Sequence, residues 1–117
     1  MNRKELNRKS HNISLRARRT RSKIKGTKTV PRISVFPSLC GFKVQFIDDE
    51  SGRTILFGSD SDQKGAKTQK ARDLGLKMAH KAVEIGIISG VLDKGSKKYH
   101  GRIKAFADAL REGGMKL

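Results

Sequence analysis

The sequence predicts a mixed α/β fold, α+β-like, with a four-stranded mixed sheet in the order β-β-β-α-β-α, two packed helices and a basic, partly helical N-terminal arm. Three observations predict it. Between residues 32 and 59, short segments of alternating apolar residues are joined by tight turns. Residues 65–85 and 102–112 repeat their apolar residues at helical spacing, and a nearly continuous apolar run, Ile87–Leu92, lies between them. The first thirty-two residues hold few apolar side chains and most of the charge.

The elements follow in order. Val30-Pro31-Arg32 leads into a first strand over Ile33–Phe36, which Pro37 is expected to end. Ser38–Gly41 makes a turn. In Phe42–Ile47 the alternation puts Phe42, Val44 and Phe46 on one face and Lys43 and Gln45 on the other. Asp48–Gly52 is a polar tight turn with Gly52 where a positive φ is needed. Arg53–Ser59 is a third strand, and the three form an antiparallel meander. Residues 60–64 form a loop. The first long helix carries Ala71, Leu74, Met78, Ala82 and Ile85 as its stripe, widened by Ala79 and Val83. Gly75 inside it marks a close contact with the sheet, and Gly86 stops it. Ile87–Leu92 reads as a strand buried on both sides, reached by a right-handed crossover onto a parallel neighbour. Asp93–Gly101 is a loop. The last helix buries Ile103, Phe106, Ala107 and Leu110 and ends at Gly113-Gly114.

At 117 residues the chain is one domain: an arm over residues 1–31 and a body over residues 32–117. The first thirty-two residues contain twelve Lys or Arg against Glu5 alone, a net +11 of the chain's +16. With only Leu6, Ile13, Leu15, Ile24 and Val30 to bury, such a segment orders against something anionic rather than alone. The pI near 10.6 points to a polyanion: nucleic acid first, an anionic membrane surface second. A single cysteine, Cys40, excludes an intrachain disulfide and a Cys-based metal site. No apolar run is long enough to span a membrane, and no secretory signal core stands at the N-terminus, although its Arg-rich composition overlaps with that of a transit peptide.

The candidate nucleic-acid contacts are of three kinds. In the arm, Arg3, Lys4, Arg8, Lys9, Arg16, Arg18, Arg19, Arg21, Lys23, Lys25 and Lys28 neutralise phosphates, with binding that weakens steeply as salt rises. On the meander, Arg32, Lys43 and Gln45 form a polar face. In the loop before the last helix, Lys97, Lys98, Tyr99, His100 and Arg102 converge near a helix N-terminus. Tyr99 and His100 either stack on bases or pack the loop against the sheet; Phe42 and Phe46 belong to the core. His11, His80 and His100 are too scattered to bind a metal, and His80 reads as a partly buried polar residue. No helix-turn-helix, zinc finger or basic zipper signature favours DNA.

The stretch Tyr99-His100-Gly101-Arg102-Ile103-Lys104-Ala105-Phe106-Ala107-Asp108-Ala109-Leu110-Arg111-Glu112-Gly113-Gly114 resembles the closing helix of the bacterial type of large-subunit ribosomal protein eighteen, a 5S ribosomal RNA-binding family. Pro31–Phe36 is similar to that family's first strand, Gln45–Asp49 to the end of its second, and Lys77–Gly86 to its long helix. The chain departs from the family pattern at Lys43, where an aromatic is usual, and at Leu92–Ser96, where the family tends to read Phe-Asp-Arg-Gly-Gly.

The resemblance implies a structural constituent of the large ribosomal subunit that binds 5S rRNA and helps attach it to the large rRNA in the central protuberance. Its implied partners are those two RNAs and neighbouring large-subunit proteins, with no membrane, small-molecule substrate, cofactor or catalysis. The implied location is the ribosome, cytoplasmic or organellar. Two alternatives remain: a general RNA- or DNA-coating basic protein, and a ribonuclease-H-like metal-dependent nuclease suggested by the element order. The nuclease reading lacks the strand-borne carboxylates such a site needs, because Ile33-Ser34-Val35-Phe36 contains none.

Overall fold

The computed structural model describes residues 10–16, 18, 25–38, 41–95 and 97–117. The order is β1 (Arg32–Ser38), β2 (Gly41–Asp48), β3 (Arg53–Ser59), a 3₁₀ turn (Asp60–Asp62), α1 (Lys67–Glu84), β4 (Val91–Asp93) and α2 (Arg102–Glu112). Within the arm, residues 10–16 are helical. The four strands form one mixed sheet in the order β3-β2-β1-β4. β1 pairs antiparallel with β2 and parallel with β4, and β2 pairs antiparallel with β3. The meander and the parallel crossover are therefore both present.

Alternation along the strands sets the two faces. Ile33 and Val35 of β1 and Phe42, Val44 and Phe46 of β2 are buried on one side. They form a single core with Ala71, Leu74, Met78, Ala79 and Ala82 of α1 and Ile103, Phe106 and Leu110 of α2. The rings of Phe42 and Phe106 meet at 5.3 Å between centroids, tilted by 48°, and bind the second helix to the sheet. Both α1 and α2 lie on this side, and among the described residues the other face stays open enough to leave Phe36, Lys43 and Phe57 exposed.

Five expectations are corrected. The first strand runs through Pro37 to Ser38 rather than ending before the proline. β4 pairs only as far as Ser34, so at Pro37 the strand has an open side where a missing N–H is tolerated. The fourth strand is three residues long at the sheet's edge, not a doubly buried run over 87–92. Ile88 is 55% exposed, while Gly90 lies so close to Ile33 that a Cβ would approach its Cδ1 within 2.6 Å. Gly75 makes its close approach to α2 rather than to the sheet: a Cβ there would meet both Ala109 Cβ and the Phe106 carbonyl at 2.7 Å. Val83 and Ile85 lie outside the α1 stripe and are exposed, Ile85 having passed the helix end. His80 is exposed and faces Glu84 at 3.0 Å, one turn along the helix.

Glycines at two turns behave as their positions require. Gly52 adopts φ 71° in the β2–β3 turn. Gly86 adopts φ 89° after α1, where its N–H reaches Val83 and the Ile87 N–H reaches Ala82. These paired bonds satisfy carbonyls that the helix end would otherwise leave open.

Candidate nucleic-acid interface

The open face of the sheet is built by the residues that alternate with the core. Cross-strand register sets Phe36 opposite Lys43 and Lys43 opposite Ser59, and in the next row Ser34 opposite Gln45 and Gln45 opposite Phe57. Lys43 is exposed and Gln45 half-buried, on the same side as expected. The surprise on this face is aromatic. Phe36 is 50% exposed and Phe57 is 55% exposed, although large apolar residues in strands normally go to the core. The strand period already places Phe36 here: Ile33 and Val35 share the core side, so Phe36 falls beside Ser34.

A groove of about 460 Å³ opens where this face meets the loop after β4. Phe36 and Pro37 form part of its wall, and Lys94 and Lys97 stand on the loop side. A second groove, of about 240 Å³, continues past Pro37 and Lys97 to Lys98, His100 and Arg102. Pro37 and Lys97 line both, so the sheet face and the loop form one continuous surface. The fold thus brings Lys97, Lys98 and His100 together around Pro37, while Lys43 stands beside Phe36 on the open face. Among the described residues, Lys94, Lys97 and Lys98 face no carboxylate within ion-pair distance.

Two residues of the loop have internal partners. The Tyr99 hydroxyl accepts a 2.7 Å hydrogen bond from Arg111 Nη1, and the same guanidinium lies 5.9 Å from the Tyr99 ring centroid. Tyr99 therefore packs the loop onto α2 while keeping two-fifths of its surface exposed. Arg102 donates to the Ser38 carbonyl at 3.0 Å and stands 5.9 Å from the Phe42 ring, which ties the start of α2 to the β1–β2 hairpin. Gly101 precedes the helix at φ 58°, and no side chain caps this N-terminus.

Arg32 is not a surface contact, which corrects its place in the polar face. It is 6% exposed. Its Nε and Nη2 donate to the two oxygens of Asp49 at 2.9 and 3.0 Å, and its Nη1 donates to Asp93 at 2.8 Å. The hydrogen bond to Asp49 above all, aided by Asp93, holds the guanidinium above its usual pKa against the opposing cost of burial. The carboxylates reach further. Asp49 accepts from the Gly26 N–H at 2.7 Å, and Asp93 accepts from the Gly95 N–H at 2.9 Å. One buried arginine thus joins the arm's root, the β2–β3 turn and the start of the 94–101 loop. Neither spacing nor periodicity signals it, because its partners are 17 and 61 residues away.

At the root of the arm, Gly26 and Pro31 are buried against the end of the sheet, and Lys25 and Lys28 are exposed. Arg16 and Arg18 are exposed on the arm. Arg3, Lys4, Arg8, Lys9, Arg19, Arg21 and Lys23 lie outside the described residues. Among the described residues, no cluster of three or more His, Cys, Asp or Glu is placed to hold a metal ion, and no helix is long and apolar enough to cross a membrane.

These features define a small basic α/β protein with one face of its sheet packed by helices, the other face open among the described residues, and a lysine-bearing loop beside it. The family described as ribosomal L18 of archaea, bacteria, mitochondria and chloroplasts matches residues 7–117. The chain belongs to this ribosomal L18 family, and so is a structural constituent of the large ribosomal subunit that binds rRNA.

Proposed function

We propose that this protein binds 5S rRNA and helps attach it to the large rRNA in the central protuberance, without catalysing a reaction. The observation that carries the reading is the match to a ribosomal family over residues 7–117, which includes most of the basic arm. The surface fits such a role. Shape and phosphate position dominate recognition of folded RNA, and an open sheet face beside a lysine loop offers both a contour and charge.

In this reading the chain divides at residue 31. The arm, residues 1–31, follows an RNA groove and neutralises phosphates through Arg3, Lys4, Arg8, Lys9, Arg16, Arg18, Arg19, Arg21, Lys23, Lys25 and Lys28. The body, residues 32–117, supplies the rigid surface through Lys43, Gln45, Lys97, Lys98 and His100. Tyr99 and Arg102 act chiefly by holding the loop in place. Neighbouring large-subunit proteins complete the set of partners.

The test is a titration of 5S rRNA with the wild-type protein and with a variant in which Arg16, Arg18, Arg19 and Arg21 are all replaced by Gln. The slope of log K against log salt should become shallower by about 0.7–0.9 for each phosphate that is no longer neutralised. An unchanged slope and affinity would remove the arm from the interface.

A further inference from the structure

We propose that the 460 Å³ groove between β1 and the loop after β4 seats one unpaired nucleobase of the bound RNA, with Phe36 as the stacking surface. The inference rests on the RNA-binding function proposed above and adds to it a specific ligand subsite.

The groove changes character from floor to rim. On its wall, the Phe36 ring is half exposed on the open face with Pro37 next to it, giving a flat apolar surface that solvent reaches. On its floor, Ser34 is 7% exposed, and its hydroxyl makes no hydrogen bond among the described residues. That hydroxyl is not sealed off, because no buried side-chain polar atom among the described residues lacks a partner. It faces the groove, where water or a ligand must supply the missing bond. Arg32 and Asp93 also border the floor, but they bond each other at 2.8 Å, and Arg32 is bound to Asp49 as well. The floor therefore offers no unmatched cation, and a phosphate would gain nothing there. Cations appear at the rim, where Lys94 and Lys97 have no carboxylate partner among the described residues.

An aromatic wall, a polar floor with no free cation and a cationic rim match the parts of one nucleotide. The base lies on the ring, an edge of the base meets the serine, and the phosphates stay outside with the lysines. The volume falls within the range of about 300–1,000 Å³ typical of small-ligand sites. A serine hydroxyl both donates and accepts, so the subsite selects for an unstacked base more than for its identity. A base held in a helix cannot reach the Phe36 face, so the nucleotide must come from a loop, bulge or end of the RNA.

Stacking and phosphate pairing respond differently to salt, and this separates the two halves of the site. The experiment titrates 5S rRNA with the full-length wild type, F36A, F36Y and the double variant K94Q/K97Q, at several salt concentrations, after checking that each melts as the wild type does. F36A should weaken binding by about 5- to 150-fold, the loss expected for one stacked base, with the salt slope unchanged. F36Y should restore the affinity. K94Q/K97Q should make the slope shallower by about 1–2. Equal binding by F36A and wild type would overturn the subsite while leaving the RNA-binding function intact. A shallower slope in F36A would also overturn it, because Phe36 would then be acting only by placing the lysines. Failure of the wild type to bind 5S rRNA would instead strike at the proposed function itself.

Discussion

The Arg32 guanidinium holds the Asp49 carboxylate through two parallel hydrogen bonds, Nε to Oδ2 at 2.9 Å and Nη2 to Oδ1 at 3.0 Å. This fork is the strong, directional form of a charge pair, and it is nearly dry on the arginine side. Asp93 completes the arrangement on Nη1. The result ties the Gly26 backbone, the β2–β3 turn and the start of the 94–101 loop to one side chain.

Removing Arg32 should be costly because it takes the counter-charge from two acids in a largely buried site. Arg32→Ala is expected to destabilise the fold by about 3–5 kcal/mol, the range for breaking a buried ion pair from one side. Lys43→Ala, on the exposed face, should stay within about 0.5 kcal/mol of wild type. Denaturant unfolding of the two variants checks the contrast. Equal midpoints would mean that the network contributes little.

Gly75 is the contact point of the two helices. Its replacement by Ala puts a methyl 2.7 Å from both Ala109 Cβ and the Phe106 carbonyl, and the latter is backbone that cannot rotate away. Against the usual gain in helix propensity, Gly75→Ala should lower stability by about 1–3 kcal/mol through overpacking. A raised melting temperature would show that α1 and α2 can slide apart cheaply.

Leu110, on the apolar stripe of α2, is fully buried in the core. Leu110→Ala should cost about 2–5 kcal/mol, as for other core leucines. The check is the thermal midpoint, and an unchanged value would contradict the helix face described here.

Asp48 gives the acid response. The Ser51 hydroxyl bonds its carboxylate at 2.8 Å, and the Glu50 and Ser51 N–H groups add to it, so the folded pKa lies below the ordinary carboxylate value of 3.8. A depressed folded pKa contributes stability that is present above the unfolded pKa and is lost as pH falls through the folded one. Stability should therefore fall below pH 3.8, and Asp48→Asn should flatten that part of the profile. Urea midpoints measured across the acid range test this; parallel profiles for the two proteins would exclude Asp48 as a contributor.

Much of the fold is legible because its signals are local. Alternation at Phe42-Lys43-Val44-Gln45-Phe46 sets the sheet's two faces, and the helical spacing of Ala71, Leu74 and Met78 sets the buried side of α1. The errors come where distant contacts decide. Arg32 alternates with the polar side, yet the arm's root and the loop after β4 close over it. Ile87–Leu92 reads as a central strand because it is nearly continuously apolar, but only Ile87 and Gly90 within it are buried, and the strand that forms is at the sheet's edge. Phe36 and Phe57 fall in strands by composition, which does not say which face they take. The two-residue period and the cross-strand register put both on the open side, where hydrophobicity alone would not place them.

The decisive experiment is a binding titration of the full chain against 5S rRNA and against an unrelated structured RNA of equal length, at two salt concentrations. A preference for 5S rRNA that persists at the higher salt is expected, because the body presents a fixed surface that the arm's charge alone cannot supply. Equal binding to both RNAs that disappears together as salt rises would refute 5S recognition, and would leave a polycationic arm coating RNA without distinction.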